Sequence, residues 1–379
     1  MSTSDKMQAV VGIAVNPSVE PVYSGLRDSK NRLKLGLFSI NLSGGLNLSA
    51  IPRKEEFGWE WTSRIARTAD EMGLEFLVPV ARWLGYGGDH NIHGGSFETL
   101  TWASAIATQT KQITIAATVH LAFVSPIFAA KAAATIDHVS KGRIALNCVM
   151  GWYPDEAELW GVPLGDHDNR YEMGAEWITL AKRLWTEVEP FDFTGKYLKV
   201  RNALSNPKPV RPPLLLNAGT SPAGVDFCAH FCDFNFGMPP DGMAGENARN
   251  IRERAHDAYG RKVGSLNVAF IVCGDTEAEA QRRYEAVIEH GDWPGSGNLM
   301  RAVGLHSQSF PHSELQKRFI ASGGGVPIIG TPEQVAAKLI ELSEQGVDGV
   351  AMGFVDYVDE LQRFNEQVMP LLRSAGVRG

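Results

Sequence analysis

Short apolar runs alternate with amphipathic stretches along most of the chain. Eight runs have the length and the Val, Ile, Leu and Phe content of strands buried on both faces, and they lie at 33–41, 75–80, 112–120, 143–150, 214–218, 233–236, 266–272 and 349–354. Helical periodicity covers 59–72, 97–108, 126–139, 170–185, 245–259, 276–290 and 332–344. This alternation indicates parallel strands joined by helices, and eight strands predict a closed (β/α)8 TIM barrel.

The length of the chain is compatible with one elaborated barrel as well as with two or three domains. A barrel needs roughly 250 residues and often carries insertions, so the 379 residues are divided into an N-terminal arm at 1–32 and a single barrel domain at 33–379. Two segments, 189–211 and 292–325, break the alternation and are interpreted as insertions. Because the βα loops of a barrel form its active site, the second insertion is a candidate lid.

Composition and charge restrict the partners that the protein can have. The formal net charge of -7 argues against a nucleic-acid or anionic-membrane surface, since basic patches bind both. No apolar run approaches the roughly 20 residues of a membrane-spanning helix, and the first residues do not resemble a secretory signal. The 4 cysteines are scattered and contain no C-x-x-C pair, so they predict no disulfide framework. We therefore expect a cytoplasmic protein that binds a small ligand.

Polar residues lie at the ends of several predicted strands, which is where a barrel carries its functional groups. Arg82 follows the second strand, Thr118 and His120 end the third, and Asn147 interrupts the apolar fourth strand. A buried amide needs hydrogen-bond partners, so Asn147 either bonds to neighbouring backbone or binds a ligand. The residue type of Thr118 alone favours packing, because β-branched residues are common in strands.

Two stretches carry groups suited to an anion. The run GTSPAG at 219–224 lies between a strand and a helix, where backbone N–H groups and the Ser221 hydroxyl can hold a phosphate or cap the helix. Arg170 and Tyr171 open the helix after the fourth strand and offer a cation and a phenol, or form an ordinary polar helix start. No G-x-G-x-x-G separates a strand from a helix, so a Rossmann-type dinucleotide site is not indicated.

Three histidines near the predicted strand ends favour substrate contact over metal binding. His90 and His93 lie in the loop after the second strand, and His120 ends the third. An H-x-x-H on a glycine-rich loop lacks the helical i, i+4 spacing of zinc peptidases, and no acidic third ligand is evident. We therefore predict no metal site and assign the three histidines, together with Trp152, to substrate contact, with general acid–base work or simple hydrogen bonding as alternatives.

Several stretches together resemble the bacterial luciferase-like family over roughly 33–372. The most specific is ATIDHVSKGRIALNCVMGW, and it is supported by LKLGLFSINLSGG, HDNRY, NAGTS and IIGTPEQVAAKLIELSEQGVDGV. Within the family the chain resembles the two-component FMN-dependent monooxygenases, nearest the subgroup of pyrimidine and dimethylsulfone monooxygenases. The loop at 87–95 and the stretch at 156–170 differ from the pyrimidine enzyme, so the resemblance does not name the substrate.

The resemblance implies an enzyme that uses reduced FMN and O2 to oxygenate or oxidatively cleave a small amide, N-heterocycle or sulfone through a flavin peroxide. A separate NAD(P)H-dependent flavin reductase would supply the FMNH2, and the protein would be a homodimer or homotetramer. The flavin-site pattern of the family falls on Ala81, Arg82, Thr118, Asn147, Glu156, Arg170, Tyr171 and Ser221, with Thr118 and Asn147 as the catalytic pair. The alternatives are an F420-dependent oxidoreductase of the same superfamily, a metal-dependent barrel hydrolase using the three histidines, and a non-catalytic flavin-binding protein.

Overall fold

The structure is a computed structural model that describes residues 19–240, 242–305 and 313–379. Its strands are β1 (Lys34–Phe38), β2 (Phe76–Val78), β3 (Thr114–His120), β4 (Ile144–Val149), β5 (Phe191–Thr194), β6 (Lys199–Ala203), β7 (Leu214–Asn217), β8 (Phe234–Gly237), β9 (Gly264–Cys273), β10 (Val326–Gly330) and β11 (Gly349–Gly353). Its helices are α1 (Gly25–Asp28), α2 (Trp59–Glu71), α3 (Thr99–Ala107), α4 (Pro126–Ser140), α5 (Pro154–Leu159), α6 (His167–Thr186), α7 (Pro222–Phe231), α8 (Ala244–Tyr259), α9 (Glu277–Glu289), α10 (Trp293–Ala302), α11 (Glu314–Ser322), α12 (Pro332–Glu344), α13 (Tyr357–Arg363) and α14 (Met369–Ser374), with a π-helical turn at Phe364–Val368.

Eight parallel strands close into a barrel. Their order is β1, β2, β3, β4, β7, β8, β9 and β11, and β11 pairs again with β1. Each of these strands coincides with one of the eight predicted from the sequence, so the predicted TIM barrel is confirmed. The seven predicted helices are present as α2, α3, α4, α6, α8, α9 and α12.

A ninth parallel strand, β10, was not predicted. It pairs with the second half of β9, from Val326 opposite Ala269 to Gly330 opposite Cys273. The first half of β9 pairs with β8, so β9 changes its neighbour along its length. The sequence does not indicate β10 because it is short, contains Pro327 and is flanked by glycines, all of which are typical of loops.

Side chains on the barrel strands alternate between the barrel interior and the layer that faces the helices. Ala116 on β3 and Ala145 on β4 belong to the interior cluster, together with Phe and Val side chains of other strands. Residues two positions further along each strand share the same face, so Thr118, His120 and Asn147 also face the interior. They lie near the C-terminal ends of the strands, which form the barrel mouth.

The regions outside the regular repeat have structures of their own. The segment 189–211 contains the antiparallel hairpin of β5 and β6, and the described part of 292–325 contains α10 and α11. Of the N-terminal arm, residues 1–18 lie outside the described residues. The remainder contacts the N-terminal end of β3, where the backbone N–H of Leu26 donates to Thr114 Oγ1 at 2.9 Å. Among the described residues, no helix combines the length and apolar content needed to cross a membrane.

Candidate active site

Thr118 and Asn147 are neighbours on adjacent strands at the barrel mouth, where the register places them side by side. The Thr118 hydroxyl donates to the carbonyl of Pro79 at 2.6 Å, and Asn147 Nδ2 donates to Thr118 Oγ1 at 3.1 Å. Because the Thr118 proton is directed to Pro79, the Asn147 amide must present its NH2 group to Oγ1. Asn147 Oδ1 is left buried and without a hydrogen-bond partner in the described structure. Buried oxygens of this kind are rare, so this atom is a candidate acceptor for a ligand.

Arg82 and Glu156 form a buried ion pair beside this pair of residues. Arg82 Nη1 lies 2.9 Å from Glu156 Oε1, and the two side chains are 4% and 0% exposed. The same Oε1 accepts the backbone N–H groups of Trp83 at 2.7 Å and of Leu84 at 3.3 Å. Three donors thus share Oε1, whereas Glu156 Oε2 and Arg82 Nε are buried without a hydrogen-bond partner in the described structure. Because Glu156 compensates the charge of Arg82, Arg82 presents no unpaired positive charge to a ligand at the barrel mouth.

Aromatic rings enclose the guanidinium of Arg82. Its Cζ atom lies 4.8 Å from the ring centroid of Tyr86, 5.0 Å from that of Trp152 and 5.6 Å from that of Tyr153, all within cation–π range. Ala81, the residue before Arg82, is buried and has no polar side-chain atom, so only its backbone is available for hydrogen bonding. The β2 side of the mouth is therefore mostly apolar and aromatic.

The three candidate histidines occupy different environments. His93 and His120 are buried, whereas the side chain of His90 is exposed and only its backbone N–H is held, by Asp292 Oδ2 at 3.0 Å. Burial, followed by the positive charge of Arg82, lowers the pKa of His93 and of His120 to about 3. Both rings are consequently neutral at pH 7. In the part of the chain that is described, no three His, Cys, Asp or Glu side chains are grouped to hold a metal ion.

A second group of candidate residues lies at the start of α7. Ser221 caps the helix by accepting the N–H of Gly224 at 3.2 Å. The Tyr171 hydroxyl reaches the same turn so closely that a Cβ atom at Gly219 or Gly224 would lie 2.7 or 2.6 Å from it. Both glycines are thus required by this contact. Burial raises the pKa of Tyr171, so the phenol stays protonated and can donate a hydrogen bond.

Arg170 lies between the two groups. Its Nη1 donates to the carbonyl of Gly151, the residue before Trp152, and its Nε is buried without a hydrogen-bond partner in the residues described. The side chain lines a cavity of about 420 Å³ whose other walls include Phe123, Leu164 and Met173. A guanidinium has five N–H donors, so Arg170 retains donors for an anion.

His167, which was not predicted as a site residue, also belongs to this second group. Its Nε2 lies 3.2 Å from Ser221 Oγ, and its ring centroid lies 5.2 Å from that of Tyr171. The spacing carried a signal, because His167, Arg170 and Tyr171 are at i, i+3 and i+4 and therefore share one face of α6. At the start of α7 the structure brings His167 and Ser221 together, although they are 54 residues apart in sequence.

Comparisons with known proteins identify the family to which the chain belongs. The family model described as luciferase-like monooxygenase matches residues 35–349. The chain is 29% identical over 356 residues to the FMNH(2)-dependent dimethylsulfone monooxygenase of Pseudomonas fluorescens (strain Pf0-1), covering 91% of this chain and 96% of that protein. It is 28% identical over 355 residues to pyrimidine monooxygenase RutA of Acinetobacter baylyi, covering 90% and 95%. The solved EDTA monooxygenase (EmoA) of Chelativorans sp. BNC1 matches with a TM-score of 0.80 and 26% identity, covering 92% of this chain and 95% of that one.

Proposed function

The chain belongs to the luciferase-like monooxygenase family, and from this premise we propose that it uses FMNH2 and O2 to oxygenate or oxidatively cleave a small uncharged organic substrate. The dimethylsulfone and pyrimidine enzymes named above are both monooxygenases, and the first carries FMNH2 dependence in its name. They match the chain over nearly its whole length, so the same activity is proposed for the whole protein rather than for one part of it.

The observation that carries the proposal is the unpartnered oxygen Asn147 Oδ1. The isoalloxazine ring gains an N–H group at N5 when it is reduced, whereas the oxidised ring has only an acceptor there. Thr118 holds the Asn147 amide with its oxygen free, and this orientation offers an acceptor to the reduced ring. When bound, FMNH2 supplies the electrons that activate O2, and the protein contributes binding, orientation and exclusion of water.

The remaining candidate residues fit the other parts of FMN. Arg170, Tyr171, Ser221 and His167 are suited to the phosphate, because they join a cation, a phenol, a hydroxyl and an imidazole at a helix N-terminus. The backbone of Ala81 and the side chain of Arg82 would border the ring, and Glu156 would hold Arg82 in place. Thr118 and Asn147 are proposed as the catalytic pair.

The charge balance of the mouth supports an uncharged substrate. Arg82 is compensated by Glu156, and the two buried histidines are neutral because their pKa values are lowered to about 3. Trp152 and Tyr86 add aromatic surface. A polyanion would find no cation to pair with among these groups, whereas an amide, an N-heterocycle or a sulfone needs only hydrogen bonds and apolar contacts.

We also propose that the described part of the segment 292–325, which contains α10 and α11, covers the mouth. Asp292 accepts the backbone N–H groups of Asp89 and His90 at 3.1 and 3.0 Å, and Asn298 Nδ2 donates to the carbonyl of Tyr86 at 2.6 Å. These hydrogen bonds attach the segment to the loop after β2. A cover of this kind would exclude water from the reacting groups.

Three further parts of the proposal concern the source of FMNH2, the location in the cell and the oligomeric state. The FMNH2 would come from a separate NAD(P)H-dependent flavin reductase, which the FMNH2 dependence of the relative supports. A cytoplasmic location is supported by the 4 cysteines, all of which are free and buried, as expected in a reducing compartment. A homodimer or homotetramer is proposed from the family resemblance.

Anaerobic titration of the protein with FMNH2 and with oxidised FMN tests the cofactor directly. We expect FMNH2 to bind at least about tenfold more tightly, a difference of about 1.4 kcal/mol, and Tyr171→Phe to weaken FMNH2 but not reduced riboflavin, which lacks the phosphate. Equal or tighter binding of oxidised FMN would contradict the proposal. Turnover with F420 and no incorporation of isotopically labelled O2 would favour the alternative oxidoreductase.

A further inference from the structure

His120 and Glu156 face each other with complementary atoms that have no other partner. His120 Nδ1 lies 3.7 Å from Glu156 Oε2. Both atoms are buried and lack a hydrogen bond within the described structure. A separation of 3.7 Å is slightly too long for a hydrogen bond. A small side-chain rotation would bring the two atoms within hydrogen-bond distance.

The two oxygens of Glu156 differ in their partners. Oε1 is occupied by three donors, namely Arg82 Nη1, Trp83 N and Leu84 N. Oε2 is enclosed, since Glu156 is 0% exposed. In the described structure, the charged-group contact of Oε2 is with His120 Nδ1, at 3.7 Å.

This contact determines which nitrogen of His120 carries the proton. The ring is neutral at pH 7, because burial and then Arg82 lower its pKa to about 3. A neutral imidazole has one N–H and one lone pair, and a carboxylate beside Nδ1 favours the tautomer with the proton there. Nε2 is then a hydrogen-bond acceptor.

We propose that Glu156 is a positioning residue that holds His120 as the Nδ1–H tautomer, so that His120 Nε2 accepts a hydrogen bond from an N–H group of the substrate. This inference rests on the proposed function. It selects amides, lactams and N-heterocycles with a free N–H from the uncharged substrates considered above. Sulfones have no N–H or O–H donor, so they are expected to be poorer substrates of this enzyme.

The groups around His120 permit this role over a wide pH range. The charged groups that face the ring are Arg82, from the segment after β2, and Glu156, from α5. Phe123, from the loop after β3, packs edge-on at 5.3 Å between ring centroids and is apolar. Since the positive charge of Arg82 disfavours an imidazolium, His120 acts as an acceptor without changing its protonation.

Nuclear magnetic resonance of the full chain labelled with 15N-histidine tests the tautomer without FMNH2, O2 or substrate. The signals of His120 among the 10 histidines are assigned by their loss in His120→Gln. We expect a neutral ring with the proton on Nδ1 from about pH 6 to pH 9, well above its lowered pKa of about 3. A proton on Nε2 in the wild type, or an imidazolium at pH 7, would overturn the proposal.

Glu156→Gln should invert the tautomer. Three donors occupy the Oε1 position, so a glutamine places its oxygen there and turns its NH2 group towards His120. Nδ1 must then accept, and the proton moves to Nε2. The control is Glu360→Gln, a buried carboxyl paired with Arg283 elsewhere in the protein, which should leave the His120 signals unchanged. An unchanged tautomer in folded Glu156→Gln would refute the positioning role, and the wild-type spectrum decides if that variant does not fold.

Matched substrates test the acceptor role of His120. With FMNH2 and labelled O2, we expect cyclic imides or pyrimidines with a free N–H to be turned over with kcat/KM about tenfold higher than their N-methyl analogues, as one hydrogen bond of about 1.4 kcal/mol requires. In Glu156→Gln the preference should fall to about twofold or less. A higher kcat/KM for dialkyl sulfones, or no N-methyl effect in the wild type, would overturn the substrate assignment. Absence of FMNH2 binding would instead contradict the proposed function and leave the spectroscopic result valid.

Discussion

Replacement of Thr118 by valine tests the reasoning that connects the barrel mouth to the flavin. Valine keeps the branched shape but removes Oγ1, which donates to the Pro79 carbonyl at 2.6 Å and accepts from Asn147 Nδ2 at 3.1 Å. Thr118 and Asn147 are 6% and 3% exposed, so water cannot easily replace the lost partner. The carbonyl and the amide N–H are both left buried with an unmet hydrogen bond.

The expected loss of stability follows from these two groups. Each buried polar group left without its partner costs about 1–3 kcal/mol, so with two such groups we expect the free energy of unfolding to fall by about 2–6 kcal/mol. The orientation of the Asn147 amide is then no longer specified by Thr118, and Oδ1 is free to turn away from the ligand. Affinity for FMNH2 should therefore fall about tenfold, or about 1.4 kcal/mol, while affinity for oxidised FMN should change less.

Urea unfolding and anaerobic titration with FMNH2 measure the two effects separately. Thr135→Val is a matched control, because the Thr135 hydroxyl donates to the carbonyl of Lys131 at 3.0 Å on an exposed face of α4, and its loss should cost no more than about 0.5 kcal/mol. Thr118→Ser should restore flavin affinity, since it returns the hydroxyl. If Thr118→Val binds FMNH2 like the wild type, the amide is not oriented by Thr118 and the reasoning is refuted.

Two further predictions concern charge and pH. Arg82→Met leaves the buried carboxylate of Glu156 without its cation and should lower the free energy of unfolding, measured in urea, by about 3–5 kcal/mol. Arg254→Met, which breaks a half-exposed pair with Asp226, should lower it far less because solvent screens that pair, and equal losses would contradict this expectation. The pKa of His120 is about 6.5 unfolded and about 3 folded, so the unfolded state binds more protons between these values and stability falls as pH drops below about 6.5. Between pH 7 and pH 5 the wild type should therefore lose about 2 kcal/mol more than His120→Gln, and identical losses would exclude a buried neutral His120.

The sequence identifies the barrel because each of its strands is a predominantly apolar run. The run predicted at 266–272 corresponds to β9 at Gly264–Cys273, and the two differ only at the ends. Hydrophobic pattern is a property of neighbouring residues, and both faces of these strands are buried. β10 escaped prediction because its Pro327 and flanking glycines are typical of loops, and its pairing depends on the free edge of a distant strand, β9.

The candidate site was harder to predict from the sequence than the barrel, because its contacts join residues that are far apart along the chain. Thr118 and Asn147 are 29 residues apart, and residue type alone favoured packing for Thr118. The family resemblance pointed to both residues, but it does not specify which atoms donate and which accept in their hydrogen bonds. That direction follows from the Pro79 carbonyl, which no local pattern associates with either side chain. His167 was missed for a similar reason, because its partner Ser221 lies 54 residues away.

Glu156 shows how much a single three-dimensional contact adds to a residue known only from a family pattern. It lies on α5, a helix of 6 residues that is too short for a hydrophobic period to predict its orientation. In the structure one oxygen compensates Arg82, and the other faces His120. The first contact compensates the charge of Arg82, and we propose that the second makes His120 an acceptor, so both features of the proposed substrate, no net charge and a free N–H, depend on the same carboxylate. Substitution of Glu156 should therefore alter which substrates are oxidised more than it alters the binding of FMNH2.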